Sequence, residues 1–247
     1  MRSVAVFALV LSLTAAGCSQ AQTTPPAAKG PVSVDPAFDG KVRKYLLEHP
    51  EILEEMLAKL EEKKQAAQTA KMKQALGENR QALERDPRDF VANPQGRITL
   101  TEFYDYRCPH CINSAPEVLD IVAKNPDVRV VFKELPIFGD VSDQAAIAAI
   151  AVKRAGGDYL GVWKDFMAAK PLDAAAIERI LKAHGIDPKV MTTHETEAKK
   201  QIADAHMLAS ELGIDGTPAF VIGDTLVPGR DMEAVKKAIA EQRAKKA

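Results

Sequence analysis

The chain is poor in cysteine, with three among its 247 residues. Three thiols cannot build the multi-bridge framework that holds small secreted domains together. Charge of one sign is also lacking: 33 basic and 34 acidic residues leave a formal net charge of −1, and the two signs are interspersed. No broad positive field exists to gather nucleic acid, which excludes nucleic-acid partners. No internal repeat is evident. The uncharged apolar run from Val4 to Ala16 is too short to span a bilayer comfortably.

That run follows Met1-Arg2-Ser3 and ends in small residues, which predicts a secretory signal over residues 1–17. Cleavage has two readings. Ser19-Gln20-Ala21 suits ordinary signal peptidase, cutting after Ala21. Thr14-Ala15-Ala16-Gly17-Cys18 is similar to a bacterial lipobox, with Ala15 where Leu is usual, and would lipidate Cys18 after a cut at Gly17. Either way Cys18 leaves thiol chemistry. The expected location is the periplasm, free or tethered as a lipoprotein by a linker over residues 18–36, rich in Pro, Gln, Thr and Ala.

From Phe38 to about Arg85 the composition is strongly helix-forming, with one interruption at His49-Pro50-Glu51, where proline suits a first helical position. Leu46, Leu53 and Leu60 recur every seven residues, with Val42 and Met56 at the complementary positions; beyond Leu60 the same positions turn polar or small. Two readings stand: an amphipathic helix folded onto its own domain, or a seam for self-association. The expected domain plan is a helical stalk over 37–86 and a catalytic domain over 87–247, with Asp86-Pro87 and Asn93-Pro94-Gln95-Gly96 as punctuation.

In the second domain Ile98–Tyr104 reads as a strand, Cys108–Lys124 as a helix with Pro116 inside it, and Val128–Leu135 as a second strand: a βαβ unit with a parallel pair. Helical stretches are predicted over Ser142–Ala155, Tyr159–Ala168, Asp173–His184 and Pro188–Leu212. A hairpin turning at Gly223-Asp224 and a final helix from Asp231 follow. The expected class is α/β, with a helical insertion over about 140–212 and a preceding helical oligomerisation segment.

Cys108-Pro109-His110-Cys111 falls where a strand gives way to a helix. Unpaired N–H groups and partial positive charge at a helix N-terminus favour a thiolate, and Cys108 is the first sulfur there. Thiols in such motifs reach pKa values of about 3.5–7.5, against about 8.5 when free. His110 is placed to stabilise the Cys108 thiolate further, which makes the disulfide more oxidising. Cys111, one turn inside, is the expected resolving thiol. A structural zinc site is disfavoured because no second cysteine pair exists and His49, His184, His194 and His206 lack ligand spacing. Copper(I), which accepts two soft thiolates, stays open for Cys108 and Cys111.

The run Thr101-Glu102-Phe103-Tyr104-Asp105-Tyr106-Arg107-Cys108-Pro109-His110-Cys111, followed much later by Gly216-Thr217-Pro218-Ala219-Phe220, resembles the DsbA family of thioredoxin-fold disulfide oxidoreductases. The resemblance runs from about Ile98 to the C-terminus. It implies a thioredoxin fold, a redox-active Cys108–Cys111 disulfide with no other cofactor, and a cis Thr217–Pro218 bond against the cysteines to receive the substrate backbone. Glu102 would be the buried acid that exchanges a proton with Cys111, with a solvated strand carboxylate as the plain alternative; Lys133 is its candidate partner or else a rim charge. Tyr104, Tyr106 and Trp163 read as core or rim packing, or as a peptide-binding surface, and Phe138 and Met167 as core.

The N-terminal helices are similar to those of suppressor-of-copper-sensitivity C (ScsC) and Com1-like members, which implies a homotrimer. Such a protein would isomerise or reduce disulfides of exported cysteine-containing proteins, kept reduced by a membrane electron donor of the DsbD/ScsB type. Pro109-His110 is instead the dipeptide of the strong oxidase, so the alternatives are a disulfide oxidase and, from another class, a copper(I)-binding stress protein.

Overall fold

The computed structural model describes residues 35–245 and divides the chain into two compact units, Met1–Lys59 and Leu60–Ala247. The expected signal segment, Cys18 and the linker up to residue 34 lie outside the described residues.

In the first unit, α1 (Pro36–Glu48) begins where the Asp35 carboxylate accepts the Ala37 N–H at 3.0 Å and Pro36 takes the first helical position. It stops at His49, whose ring lies 4.4 Å from that of Tyr45, and α2 (Glu51–Glu78) starts after Pro50. None of α1 is buried, and Val42 and Leu46 on it, like Leu53 and Met56 at the start of α2, lie open.

In the second unit the later turns of α2 lead to Asn79 and a short α3 (Arg80–Glu84). One unbroken helix to Arg85 is the sequence expectation. The break follows Gly77, and at Asn79 the side-chain amide donates to the Ala75 carbonyl, 3.1 Å away, a local bond that competes with helix continuation.

The sheet has five strands in the order β1-β3-β2-β4-β5: β1 (Phe90–Ala92), β2 (Ile98–Tyr104), β3 (Val128–Glu134), β4 (Ala219–Ile222) and β5 (Thr225–Pro228). Only β2 and β3 run parallel, joined through α4 (Pro109–Lys124). The helical insertion is α5 (Asp140–Arg154), α6 (Tyr159–Ala168), α7 (Ala174–Ala183), α8 (Lys189–Thr193) and α9 (Glu195–Glu211), and α10 (Met232–Lys245) closes the chain. This is the thioredoxin-type α/β arrangement with a helical insertion. The edge strand β1 was not expected, and the helix predicted over Pro188–Leu212 is broken at His194.

Pairing sets Glu102 opposite Phe132, Phe103 opposite Lys133 and Tyr104 opposite Glu134. Alternation along the strands then gives two chemically distinct faces. Leu100, Tyr104, Val130 and Phe132 join Cys108, Cys111, Trp163 and Phe166 in one core. Phe103 and Val221 join Leu76, Leu83, Leu135, Leu208 and Leu212 in the other. Leu76 and Leu83, within the expected stalk, are thus core residues of the catalytic unit. The sheet also grips α3: the Thr101 hydroxyl donates to the Leu83 carbonyl at 3.0 Å and Arg129 to that of Glu84.

Candidate active site

β2 leaves the sheet at Tyr104 and turns so that the Cys108 N–H bonds the Asp105 carbonyl at 3.2 Å. Asp105 organises this turn. Its carboxylate accepts the backbone N–H groups of Arg107, Ile137 and Phe138 and the Ser142 hydroxyl, at 2.6, 2.7, 3.0 and 2.9 Å. Cys108 caps α4 with extended backbone, and Pro109, which has no N–H to leave unpaired, stands at the first helical position. The helix therefore aims its free N–H groups at the Cys108 sulfur.

Both cysteines are buried and unbridged. As a thiol, Cys108 Sγ donates to the Thr217 carbonyl at 3.1 Å. As a thiolate it faces the Cys111 thiol, the backbone N–H groups of Cys111 and His110, and the Thr217 hydroxyl, which has no other partner. The Cys111 hydrogen bond does most to bring the Cys108 pKa down to about 5, against the opposing effect of burial. Cys111 moves the other way: burial, its bond to Cys108 and the charge of Glu102 push its thiol pKa upward. The side chains of Pro109 and His110 are exposed, so His110 acts on Cys108 through its backbone. The Thr217–Pro218 bond is cis, and both residues are buried beside Cys108.

Glu102 is fully buried and neither carboxyl oxygen has a hydrogen-bond partner. Burial first, and the charge of Glu134 second, raise its pKa to about 8. Lys133 is neither its partner nor a rim charge. Pairing with Phe103 puts Lys133 on the opposite face, where its ammonium meets Asp89 at 2.5 Å and both groups are buried.

Tyr104, Tyr106 and Trp163 are core residues with edge-on ring contacts, not a peptide-binding surface. Met167 is buried as expected, whereas Phe138 is 45% exposed. Asp105 holds the Phe138 backbone in the loop after β3, which leaves the ring outside the core. Sequence reasoning missed Asp105, Glu134 and Tyr159. The hydroxyls of Tyr104, Tyr106 and Tyr159 all meet Glu134 Oε1, at 2.6, 2.9 and 2.8 Å. The signal that was available is strand parity, since Glu134 lies two residues beyond the partner of Glu102. Among the described residues no group of three or more His, Cys, Asp or Glu could hold a metal ion.

Residues 99–240 match the family model of the DSBA-like thioredoxin domain. The chain belongs to that family. In this DSBA-like protein residues 37–67 also match the model of the copper resistance protein ScsC N-terminal domain. A mutant of Proteus mirabilis ScsC that carries a linker deletion is 30% identical with a TM-score of 0.66, covering 87% of this chain and 99% of its own. A thioredoxin-like oxidoreductase from Silicibacter pomeroyi is 37% identical with a TM-score of 0.63, covering 68% of this chain and 99% of its own. The thiol:disulfide interchange protein DsbA of Bordetella pertussis is 30% identical over 135 residues, 52% of this chain and 64% of that protein. The DSBA-like chain spans only 25% of other curated relatives, the Na(+)/H(+) antiporters NhaA 1 and NhaA 3 of two Salinispora species. Fold and family together give it the fold of the DsbA/ScsC-like thiol–disulfide oxidoreductases.

Proposed function

We propose that this chain is an exported thiol–disulfide oxidoreductase that isomerises or reduces disulfides of exported proteins as a homotrimer. The observation that carries the chemistry is the opposed proton affinity of the two thiols: the Cys108 pKa is held at about 5 while that of Cys111 is pushed up, with Thr217–Pro218 alongside. The Cys108 thiolate attacks a substrate disulfide, forms a mixed disulfide and releases a substrate thiolate. That thiolate then attacks another substrate disulfide, which shuffles the pairing and finally frees Cys108. Alternatively Cys111 gives its proton to Glu102 and attacks the Cys108 sulfur, expelling a reduced substrate and leaving the Cys108–Cys111 disulfide. A membrane electron donor of the DsbD/ScsB type then restores the dithiol.

The isomerase reading rests on the N-terminal helices. The row Val42, Leu46, Leu53, Met56 and Leu60 is open, is too narrow for a globular core, and lies within the ScsC N-terminal match. Three copies joined there would hold several thiols around one bound substrate. The low Cys108 pKa, with Pro109-His110, supports the oxidase as the second reading. Export by the signal segment, with or without lipidation of Cys18, completes the proposal.

The test is refolding of a scrambled disulfide-bonded protein, combined with sedimentation of the mature chain. A trimer that restores native disulfides supports isomerisation, and a monomer that only oxidises thiols supports the oxidase. Stoichiometric copper(I) binding with no turnover would replace both with a metal-binding role.

A further inference from the structure

Glu134 is the strongest unexplained feature of the catalytic unit. It is a fully buried carboxyl whose Oε1 meets the Tyr104, Tyr106 and Tyr159 hydroxyls within hydrogen-bond distance. The Tyr104 and Tyr159 hydroxyls are themselves 2.5 Å apart. A carboxylate is an acceptor only, and hydrogen bonds to an ionised oxygen are the strong ones. Glu102, equally buried, has no partner at all. The two acids lie on one face of adjacent strands, offset by one paired position on that face, so rise and strand spacing place their backbones about 8 Å apart. Two buried acids so placed do not ionise independently, and the negative charge settles where the donors are.

We propose that Glu134 and its three phenols are a positioning device that holds the site's resting negative charge, so that Glu102 keeps its proton until it must act as the base for Cys111. This rests on the proposed role of Glu102 and deepens it. Three phenol donors favour the Glu134 carboxylate. Its charge opposes a second charge on Glu102, which becomes a stronger base and is better matched to the unwilling Cys111 thiol. In the step itself Glu102 first gives up its own proton to solvent, and the carboxylate so formed takes the proton of Cys111 Sγ. Cys111 then bonds to the Cys108 sulfur, and the Cys108–substrate bond breaks with its electron pair on the departing substrate thiolate. Glu134 stays ionised throughout.

The titratable groups facing the pair are Tyr104, Tyr106 and Asp105 from β2 and its turn, Tyr159 from α6, and Cys108 and Cys111 from the start of α4. β4 and β1 contribute the apolar Phe220 and Phe90, and Lys133 lies on the opposite face.

The experiment measures Cys111-dependent release of substrate from a preformed Cys108 mixed disulfide, as a function of pH, in the full mature chain. Glu134→Gln keeps the shape and removes the charge. The midpoint of the pH profile is expected to fall by about one unit or more, a tenfold change in the proton equilibrium. Tyr159→Phe removes one donor without touching the charge and is expected to shift the midpoint the same way by less; it also serves if Glu134→Gln does not fold. In a Glu102→Gln background neither change should move what remains of the profile. An unmoved midpoint in a folded variant overturns the device, as does a shift that persists without Glu102. Absence of release from the wild-type protein would instead overturn the proposed roles of the two cysteines.

Discussion

Leucine means different things on the two sides of Lys59. Leu46 and Leu53 are 43% and 62% exposed, whereas Leu76 and Leu83, farther along the same helix-forming stretch, are wholly buried. A heptad spacing identifies a stripe but not what covers it. In the first unit the stripe lies open; in the second the sheet face carrying Phe103 and Val221 covers the leucines, and Thr101 and Arg129 fasten the end of α3 to it.

This contrast can be broken by deletion. A chain starting near Leu60 should remain folded as a monomer and exchange thiols. One starting at Pro87 loses Leu76, Leu83 and the acceptors of Thr101 and Arg129, and should lose cooperative unfolding in circular dichroism. Equal stability of the two would show that the inner leucines do not belong to the catalytic core.

Point substitutions sharpen it. Leu83→Ala should cost about 2–5 kcal/mol of unfolding free energy in a urea titration, because the void is sealed between sheet and α9. A comparable effect comes from protons. The Cys108 pKa falls from the free-thiol range to about 5, so its stabilisation is complete above the unfolded value and disappears as pH drops through the folded one. At pH 7 about two of those units count, favouring the reduced over the disulfide form by about 3 kcal/mol. Glu102 acts oppositely, its pKa raised to about 8, and weakens the fold as pH climbs from the carboxylate range to 8; at Glu134 burial pushes the same way and the three tyrosine hydroxyls push back. Both redox forms contain them, so the difference between reduced and oxidised melting curves, taken at pH 7 and pH 4.5, isolates Cys108. A difference that does not shrink at the lower pH contradicts the thiolate assignment. The smallest effect is expected at Leu53→Ala: under about 0.5 kcal/mol on unfolding of the catalytic unit, but a clear shift toward smaller species in sedimentation.

What the sequence made legible was local. β2, the helix start at Cys108, the β4–β5 hairpin and the Thr217-Pro218 dipeptide each carry their signals within a few residues. β1 is only three residues long and sits between turns, too short for any periodicity to register. Lys133 misses Glu102 by a single paired position and meets the buried Asp89 instead of the rim. Which residue of β3 looks toward Glu102 depends on how β2 and β3 align, and that alignment is a property of the packed sheet. Glu134 escaped for the same reason, and Tyr159 because the insertion brings it in from another element. Sequence can therefore nominate the sulfur chemistry, while the proton chemistry around it emerges only in three dimensions.

Asp105 carries a lesson for anyone recombining this protein with its relatives. One carboxylate binds the turn before Cys108 and also Ile137, Phe138 and Ser142, at the doorway of the helical insertion. A chimera that exchanged the insertion at the end of β3 would cut through that clasp and misplace the cysteine turn. Splicing beyond Ser142 keeps the clasp whole, so the helices that follow can be swapped as a cassette while the redox turn retains its parental setting.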